Sequence, residues 1–192
     1  MIQYILIAWM MGDVMLDELL QELYESNLWM ILIAMPVLIA VWSVIGARFS
    51  EKIRVLNTVI FALAVMMIIY VTVFSRGESE PGVDLMPLSS FERAKVNREI
   101  YRAMVMNILL FFPFGLSLPF LLKGSAGRRV LLTIAAACLL SVSVEIIQLI
   151  FRIGLTETDD VICNTFGAAL GGLSYPLSQL WIRLSERRKK TI

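Results

Sequence analysis

Polar and ionisable side chains cluster near the end of an otherwise apolar run, residues 130–151, and at the start of the next one. In chain order they are Glu145, Gln148, Arg152, Asp159, Asp160 and Asn164. Ionisable groups are costly inside a bilayer, and where they occur they usually face a protein interior or a wet cavity. The group therefore predicts a polar site between two helices. Its carboxylates suit proton transfer or cation binding, and its guanidinium suits an anion.

Helical periodicity arranges these residues into two stripes. At about 100° per residue, one face of the first run carries Ser141, Glu145, Gln148 and Arg152, and one face of the second carries Asp160, Asn164, Gly167 and Gly171. The two glycines form a GxxxG segment, which lets a neighbouring helix approach closely. We expect the two stripes to face each other across the short loop between them.

The composition is that of an integral membrane protein. Of 192 residues, 58% are apolar and 17% are charged, and the mean hydropathy is +0.78. The net charge of +1 does not indicate nucleic-acid binding. Histidine, the commonest metal ligand, is absent. Because Cys138 and Cys163 lie in apolar stretches, we expect buried free thiols and predict no metal centre or other cofactor.

Five apolar runs are long enough, or nearly so, to cross about 30 Å of hydrocarbon, which takes roughly 17–25 helical residues. They are residues 28–46, 55–74, 105–122, 130–151 and 161–181. We therefore expect an all-α polytopic membrane protein with five transmembrane helices. The expected organisation is an N-terminal segment (1–27), a first transmembrane helix with its loop (28–54), a main transmembrane domain (55–181) and a basic tail (182–192).

The N-terminal segment has a pattern of its own. Leucines recur at helical spacing at Leu16, Leu19, Leu20 and Leu23, and the other face is acidic. This pattern predicts an amphipathic helix lying at the membrane interface. A helix packed against the bundle fits the same pattern.

Basic residues predict the orientation, because cytoplasmic loops are enriched in Lys and Arg. They concentrate in the loops after the first and third spans and in the tail, at Arg48, Lys52, Arg54, Lys123, Arg128, Arg129, Arg183 and residues 187–190. We therefore expect the N-terminus outside and the C-terminus in the cytoplasm. The six polar residues then fall at the outer leaflet, together with Arg76 after the second span and Asn107 in the third.

Each of these features also has a purely structural interpretation. Glu145 and Arg152 can be a charge pair that closes a helix hairpin, and a GxxxG segment more often serves packing than chemistry. Pro113 more often kinks a helix than builds a site. Thr158 or Asp159 can cap the helix that follows. These interpretations do not account for the concentration of so many polar positions on one side of the membrane.

Several short segments match a known pattern in their order and approximate spacing. They are residues 74–76 (Phe-Ser-Arg), 84–88 (Asp-Leu-Met-Pro-Leu), 107–115, 143–148 and 159–167, with Arg152 before the last. Over about residues 55–180 the chain therefore resembles the VanZ-like family of bacterial membrane proteins. The resemblance implies a place in the bacterial cell membrane. It also implies a role at the cell envelope, because the family is named for a protein that lowers susceptibility to teicoplanin, a glycopeptide with a lipid tail.

Three functions fit these observations. In the first, a binding protein holds a lipid head group, a lipid-linked cell-wall precursor or a lipoglycopeptide, and Arg76 or Arg152 pairs with an anionic phosphate. In the second, an intramembrane enzyme uses Glu145 as general base and Asp160 as a second acid–base group or, with Asn164, as a ligand of a divalent cation. A transporter is disfavoured, because the polar set does not continue into the cytoplasmic half. We favour the first, because no nucleophile–base pair is evident.

Overall fold

The computed structural model describes residues 28–49, 52–75 and 82–190. The chain divides by its contacts into a first unit, Met1–Leu38, and a second, Ile39–Ile192. The first unit is described only over residues 28–38, which are helical. Two predictions lie outside the described residues: the amphipathic helix of the N-terminal segment and the placement of Arg76.

The described chain is almost entirely helical. Its helices are α1 (Leu28–Arg48), α2 (Lys52–Ile69), α3 (Ser89–Ala94), α4 (Arg98–Leu121), α5 (Ala126–Phe151), α6 (Thr158–Gly172) and α7 (Ser174–Lys190). A π-helical turn, Tyr70–Phe74, continues α2. Two three-residue strands, β1 (Gly82–Asp84) and β2 (Leu155–Glu157), pair in parallel, with Val83 opposite Thr156. The all-α prediction is confirmed apart from this short ladder.

Three helices are long and apolar enough to cross a membrane: Ile53–Phe74, Arg98–Leu121 and Ala126–Phe151. They correspond to the second, third and fourth predicted spans. A shorter apolar helix, Ile33–Arg48, lies within the first predicted span. The membrane class is therefore confirmed, and the number of five spans stays a prediction.

The fifth predicted span, residues 161–181, is not one continuous helix. It divides at Leu173 into α6 and α7, and the Leu173 N–H bonds to the Leu170 carbonyl at 3.2 Å. Pro176 explains the break, because it has no N–H for the Gly172 carbonyl and its ring would clash with that carbonyl in a continuous helix. In the first turn of α7 the missing donor costs nothing.

The long loop after α2 contains regular secondary structure in its described part. It contains β1 and α3, and α4 begins at Arg98 rather than at residue 105. Asn97 caps α4, since its side-chain oxygen accepts the N–H groups of Glu99 at 2.9 Å and Ile100 at 3.4 Å. The loop thus brings an ordered cap, defined here as β1 and α3, to one end of the bundle.

Helices α4 and α6 pack backbone to backbone. A Cβ built on Gly167 would overlap the carbonyl of Ile108, and one on Gly171 would lie 2.5 Å from the Leu116 nitrogen. On the opposing helix, a Cβ on Gly115 would overlap the carbonyl of Ala168. The GxxxG segment therefore faces α4 and not the polar stripe of α5. Small residues are needed here because they allow the two backbones to touch.

One apolar core holds four helices together. Its buried members are Ala64, Ile68, Phe111, Phe114, Ala137, Val144 and Ala168, which come from α2, α4, α5 and α6. The Phe111 and Phe114 rings lie 6.2 Å apart, and Phe61 approaches Phe114 at 5.2 Å. These aromatic contacts fix α2 against α4, so the ends of all four helices have defined positions relative to the cap.

Candidate functional site

Five of the predicted site residues are buried at the end of the bundle where α5 ends and α6 begins. Their exposed fractions are 5% for Glu145, 0% for Gln148, 2% for Asp159, 8% for Asp160 and 2% for Asn164. We call these five residues the polar cluster. Burial of a polar group is tolerated when it is hydrogen-bonded, so the partners of each member indicate its role.

Glu145 fastens β2 to α5. Its Oε2 accepts the backbone N–H of Glu157 at 3.0 Å. The main-chain carbonyl of the same residue accepts a hydrogen bond from the Thr156 hydroxyl at 3.5 Å. The carboxylate therefore supplies a hydrogen-bond acceptor for a strand that lies directly beside the start of α6.

Gln148 joins α5 to the end of α2. Its side-chain nitrogen donates to the carbonyl of Thr72 at 2.9 Å. Thr72 lies in the π-helical turn, and its hydroxyl donates to the carbonyl of Ile68 at 2.6 Å. A π-helical turn disturbs the regular i→i−4 ladder and so changes which carbonyls are available. Gln148 uses one of them and thereby fixes the end of the second predicted span.

Asn164 connects the two stripes, as the periodicity predicts. Its side-chain nitrogen donates to the Ser141 hydroxyl at 2.8 Å. Its Oδ1 is buried and has no hydrogen-bond partner among the described residues. The neighbouring Thr165 hydroxyl is also buried without a partner in the same ranges. Since most buried polar atoms in proteins are satisfied, an unpaired buried acceptor is a place where a donor from a ligand or water would be favourable.

Asp159 holds the cap. Its two carboxylate oxygens accept the backbone N–H groups of Leu88 at 2.6 Å and Ser90 at 2.7 Å, at the start of α3. Leu88, the residue before α3, has a φ of 68°, so its backbone is in the left-handed region. The prediction that Thr158 or Asp159 caps α6 is wrong: Glu157 occupies the N-cap without a side-chain bond. Asp159 instead caps a helix 69 residues earlier in the chain.

A second set of contacts, which the sequence analysis missed, links β1, α3 and β2. The Arg93 guanidinium contacts Asp84 at 2.9 Å and Glu157 at 2.7 Å through a single nitrogen. That nitrogen also donates to the Ser90 hydroxyl at 2.9 Å. The sequence carried one signal for this region: an Asp shortly before a Pro, here Asp84 and Pro87, is typical of a turn. It did not indicate which arginine pairs with Asp84.

Asp84 is held in its ionised form. The Ser89 hydroxyl donates to it at 2.7 Å and the Met86 N–H at 3.1 Å, and the Arg93 guanidinium lies beside it. These hydrogen bonds, led by that of Ser89 and helped by the positive charge, lower the pKa of Asp84 below its usual value. The contribution of Asp84 to the stability of the cap is therefore present at neutral pH and is lost only as the pH falls below about 4.

Arg152 is separate from the polar cluster. It ends α5 as the C-cap residue with a φ of 56°, so it leaves the helical register of the stripe. Its side chain is exposed and forms no hydrogen bond or ion pair with the described residues, so the predicted pairing with Glu145 does not occur. Asn107 is half-buried in α4 and contributes no hydrogen bond to the cluster within the described residues. Asp160 is buried in the first turn of α6.

A metal centre has no obvious ligand set in the described ranges. No three Asp, Glu or Cys side chains in residues 28–49, 52–75 and 82–190 are grouped so that they could hold a metal ion together. The carboxylates closest to such a role, Glu145 and Asp159, have oxygens that already accept backbone N–H groups. The arrangement therefore holds the ordered cap over the buried polar cluster. The exposed cation of Arg152 lies at the adjacent end of α5.

Comparison with known proteins identifies the family of the chain. The sequence model of the VanZ/LLP1 family matches residues 58–179. Protein VanZ of Enterococcus faecium is 44% identical over 78 residues, which are 41% of this chain and 47% of that protein. The chain thus matches about half the length of this curated relative. No solved structure matches the chain. Because the matched region is more than half of the chain and runs from within α2 to within α7, including the cap and the polar cluster, the chain belongs to the VanZ/LLP1 family.

Proposed function

We propose that this VanZ-family membrane protein binds the anionic head group of a lipid or lipid-linked cell-wall precursor at the outer face of the bacterial membrane. The polar cluster would serve as the rigid base of the site, and Arg152 would contact the phosphate. The observation that carries the proposal is the exposed Arg152 side chain at the end of α5, which has no hydrogen bond or ion pair with any described residue.

The hydrogen bonds divide the predicted residues into two groups. Asp159 uses both carboxylate oxygens on the cap, Glu145 binds β2, and Gln148 binds the end of α2. These three residues therefore act as positioning groups. Two polar groups without a partner in the described region are assigned to the ligand, the guanidinium of Arg152 and Oδ1 of Asn164, and the unpaired Thr165 hydroxyl follows the second in the chain.

The two remaining groups suit an elongated amphiphile. Arg152 lies 11 residues beyond Ser141, the partner of Asn164, which at 1.5 Å per residue is about 16 Å along α5. A guanidinium binds phosphate oxygens in a bidentate manner, which a lysine cannot reproduce. The buried acceptor on Asn164 would select a ligand that carries a hydroxyl or amide donor some distance from its phosphate. A lipid-linked wall precursor has both.

This function would explain a role in antibiotic susceptibility. A protein that occupies the head group of a wall precursor at the outer leaflet, or captures the lipid tail of a glycopeptide there, would reduce the access of teicoplanin to its target. We expect expression in a susceptible bacterium to raise the inhibitory concentration of teicoplanin severalfold. A glycopeptide without a lipid tail separates the two routes. Its inhibitory concentration should rise as much as that of teicoplanin if the precursor head group is occupied, and less if the lipid tail is captured.

Orientation is the first prerequisite, and cysteine labelling tests it. In a background with Cys138 and Cys163 replaced by Ala, we expect a membrane-impermeant thiol reagent to label Arg152→Cys in intact cells and to miss Ser125→Cys. Both positions are exposed, whereas Thr156 in the same loop as Arg152 is 8% exposed and would report poorly. Labelling of Ser125→Cys alone would place the polar cluster at the cytoplasmic face and would exclude the proposal.

Binding is the second test. A fluorescent undecaprenyl-pyrophosphate-linked disaccharide pentapeptide is titrated into purified protein in nanodiscs. We expect Arg152→Asn to weaken binding about 10- to 100-fold, because loss of a charge-assisted phosphate contact costs about 1.5–3 kcal/mol. Asn is chosen because it tolerates the left-handed backbone at this position. Arg152→Lys should restore part of the affinity.

A matched control is Arg102→Asn, which removes another exposed arginine at the start of α4. This variant should bind the precursor as tightly as the unchanged protein does. An equal loss of affinity in Arg102→Asn and Arg152→Asn would mean that general surface charge, and not a specific contact, causes the effect. The same assay monitors release of the labelled head group. If the protein releases the head group and Glu145→Gln abolishes that release, the intramembrane-enzyme hypothesis replaces the binding function.

A further inference from the structure

A cavity of about 420 Å³ lies at the other end of the bundle from the polar cluster. It is formed where α2 begins, α4 ends and α5 and α7 begin, and its lining includes Arg54, Phe120, Arg129 and Tyr175. Its volume is within the range of roughly 300–1,000 Å³ that is typical of small-molecule sites. All of its lining residues belong to the second unit of the chain.

The charged part of the lining is entirely basic in the described chain. Two arginines, Arg54 and Arg129, line the cavity, and none of the described lining residues is acidic. The Arg54 side chain is exposed and forms no hydrogen bond or ion pair within the part of the chain that the structure describes. Two guanidinium groups without a carboxylate between them make the cavity a favourable place for an anion.

Arg129 is held in a fixed position. Its Nε donates to the Gly124 carbonyl at 2.9 Å and its Nη1 donates to the Pro119 carbonyl at 3.2 Å. The guanidinium carbon lies 4.6 Å from the centre of the Tyr175 ring. Among the described residues no hydrogen bond engages Nη2, so the cation is oriented, with N–H groups to offer, before any ligand arrives. Pre-orientation reduces the entropy lost on binding.

The rest of the lining is apolar and aromatic. Ile53 and Ile182 line the cavity together with Phe120, whose ring meets Tyr175 edge to face at 5.2 Å. A site for a small, fully hydrated anion would not need this surface. A phosphate attached to a glycerol and acyl chains would use both parts, the guanidinium groups for the phosphate and the apolar wall for the start of the chains.

We propose that this cavity binds the phosphate of an anionic phospholipid in the leaflet opposite the polar cluster. The surrounding helix ends carry further basic residues, Arg48 and Lys123, which would hold an anionic lipid surface near the opening. The site is independent of the proposed function, because it shares no residue with the polar cluster or with Arg152. Its chemistry is phosphate recognition by Arg54 and Arg129, with Gln179 as a further polar lining residue.

Native mass spectrometry of the purified full chain tests the assignment. The protein in detergent is mixed with phosphatidylglycerol, with phosphatidylcholine of the same acyl chains, or with inorganic phosphate. We expect phosphatidylglycerol to be retained about tenfold better than phosphatidylcholine, and Arg54→Ala to abolish most of that difference. Arg54→Lys should keep a measurable part of it. Arg54 is the appropriate residue to change, because Arg129 also supports the fold through its two carbonyl contacts.

The matched control is Arg128→Ala, since Arg128 is exposed at the same end but does not line the cavity. It should retain phosphatidylglycerol as well as the unchanged protein does. An equal loss in Arg54→Ala and Arg128→Ala would overturn the proposal, because any basic surface would then suffice. Displacement of phosphatidylglycerol by inorganic phosphate at similar concentration would also overturn it and would assign the cavity to a soluble anion.

Discussion

Replacing Gly167 with Ala is expected to cost about 3 kcal/mol of stability, a large effect for one methyl group. The added Cβ would overlap the carbonyl of Ile108, which is part of the α4 backbone. A flexible side chain could move aside, but the backbone of a packed helix can do so only by displacing the whole helix. The measurement is the folded fraction of purified protein during titration with a denaturing detergent.

The control for this change is Gly127→Ala in the first turn of α5. No atom lies within 4 Å of a Cβ built there, and the position is helical and exposed. Because alanine favours the helix over glycine, this variant should be neutral or more stable by about 0.5–1 kcal/mol. If both variants behaved alike, the close approach of α4 and α6 would not contribute to stability as described.

The effect on stability should be accompanied by an effect on the proposed site. Helix α6 carries Asp159, Asp160 and Asn164, so a shift of α6 away from α4 moves part of the polar cluster relative to α5. A shift of about 1 Å is enough to break hydrogen bonds such as the one between Asn164 and Ser141 at 2.8 Å. The glycines are thus packing residues whose position determines the geometry of the polar cluster.

Asp159→Asn is expected to release the cap at a cost of about 2–4 kcal/mol. The carboxylate accepts two backbone N–H groups at 2.6 and 2.7 Å, and hydrogen bonds to a charged group are stronger than neutral ones. An amide offers only one acceptor oxygen, and its NH₂ group would face the second N–H. Hydrogen exchange should therefore accelerate at the Leu88 and Ser90 amides, and trypsin should cut faster after Arg93.

Two observations separate a released cap from a generally unfolded protein. Amides in the core segments of α4 and α6 should retain their slow exchange in Asp159→Asn, because local opening does not require global unfolding. Glu92→Gln serves as the control, since Glu92 contacts Lys95 at 2.7 Å with both side chains more than half exposed. An exposed pair of this kind contributes little, so Glu92→Gln should not change the exchange of Leu88 or Ser90. Uniformly faster exchange in Asp159→Asn would contradict the capping role.

Local patterns were sufficient to predict much of the helical framework. Three of the predicted spans correspond to helices that are long and apolar enough to cross a membrane, because hydropathy over about 20 residues is a local property. The 3.6-residue period also predicted that the stripes of α5 and α6 would meet, which is confirmed at Asn164 and Ser141 but not at Gly167 and Gly171. The break at Leu173 was missed, although Pro176 in the sequence carried the signal.

Other features depended on contacts that no local pattern encodes. The stripe of α6 carries both Asn164 and the GxxxG glycines, yet the structure places Asn164 against α5 and Gly167 against α4. A helical stripe is wide enough to touch two neighbours, and the sequence does not state which neighbour meets which residue. Arg152 is separate from the stripe for a different reason. It is in phase with the stripe, but its left-handed conformation ends the helix.

The sequence by itself determined that the protein is helical and membrane-embedded and that its polar residues gather near one end of two successive helices. Only the tertiary structure decided what those residues do. Asp159 binds backbone groups 69 and 71 residues away, and Gln148 binds a carbonyl 76 residues away. Such pairings arise when the packing of α4, α5 and α6 brings distant segments together. Periodicity within one helix therefore carries no information about them.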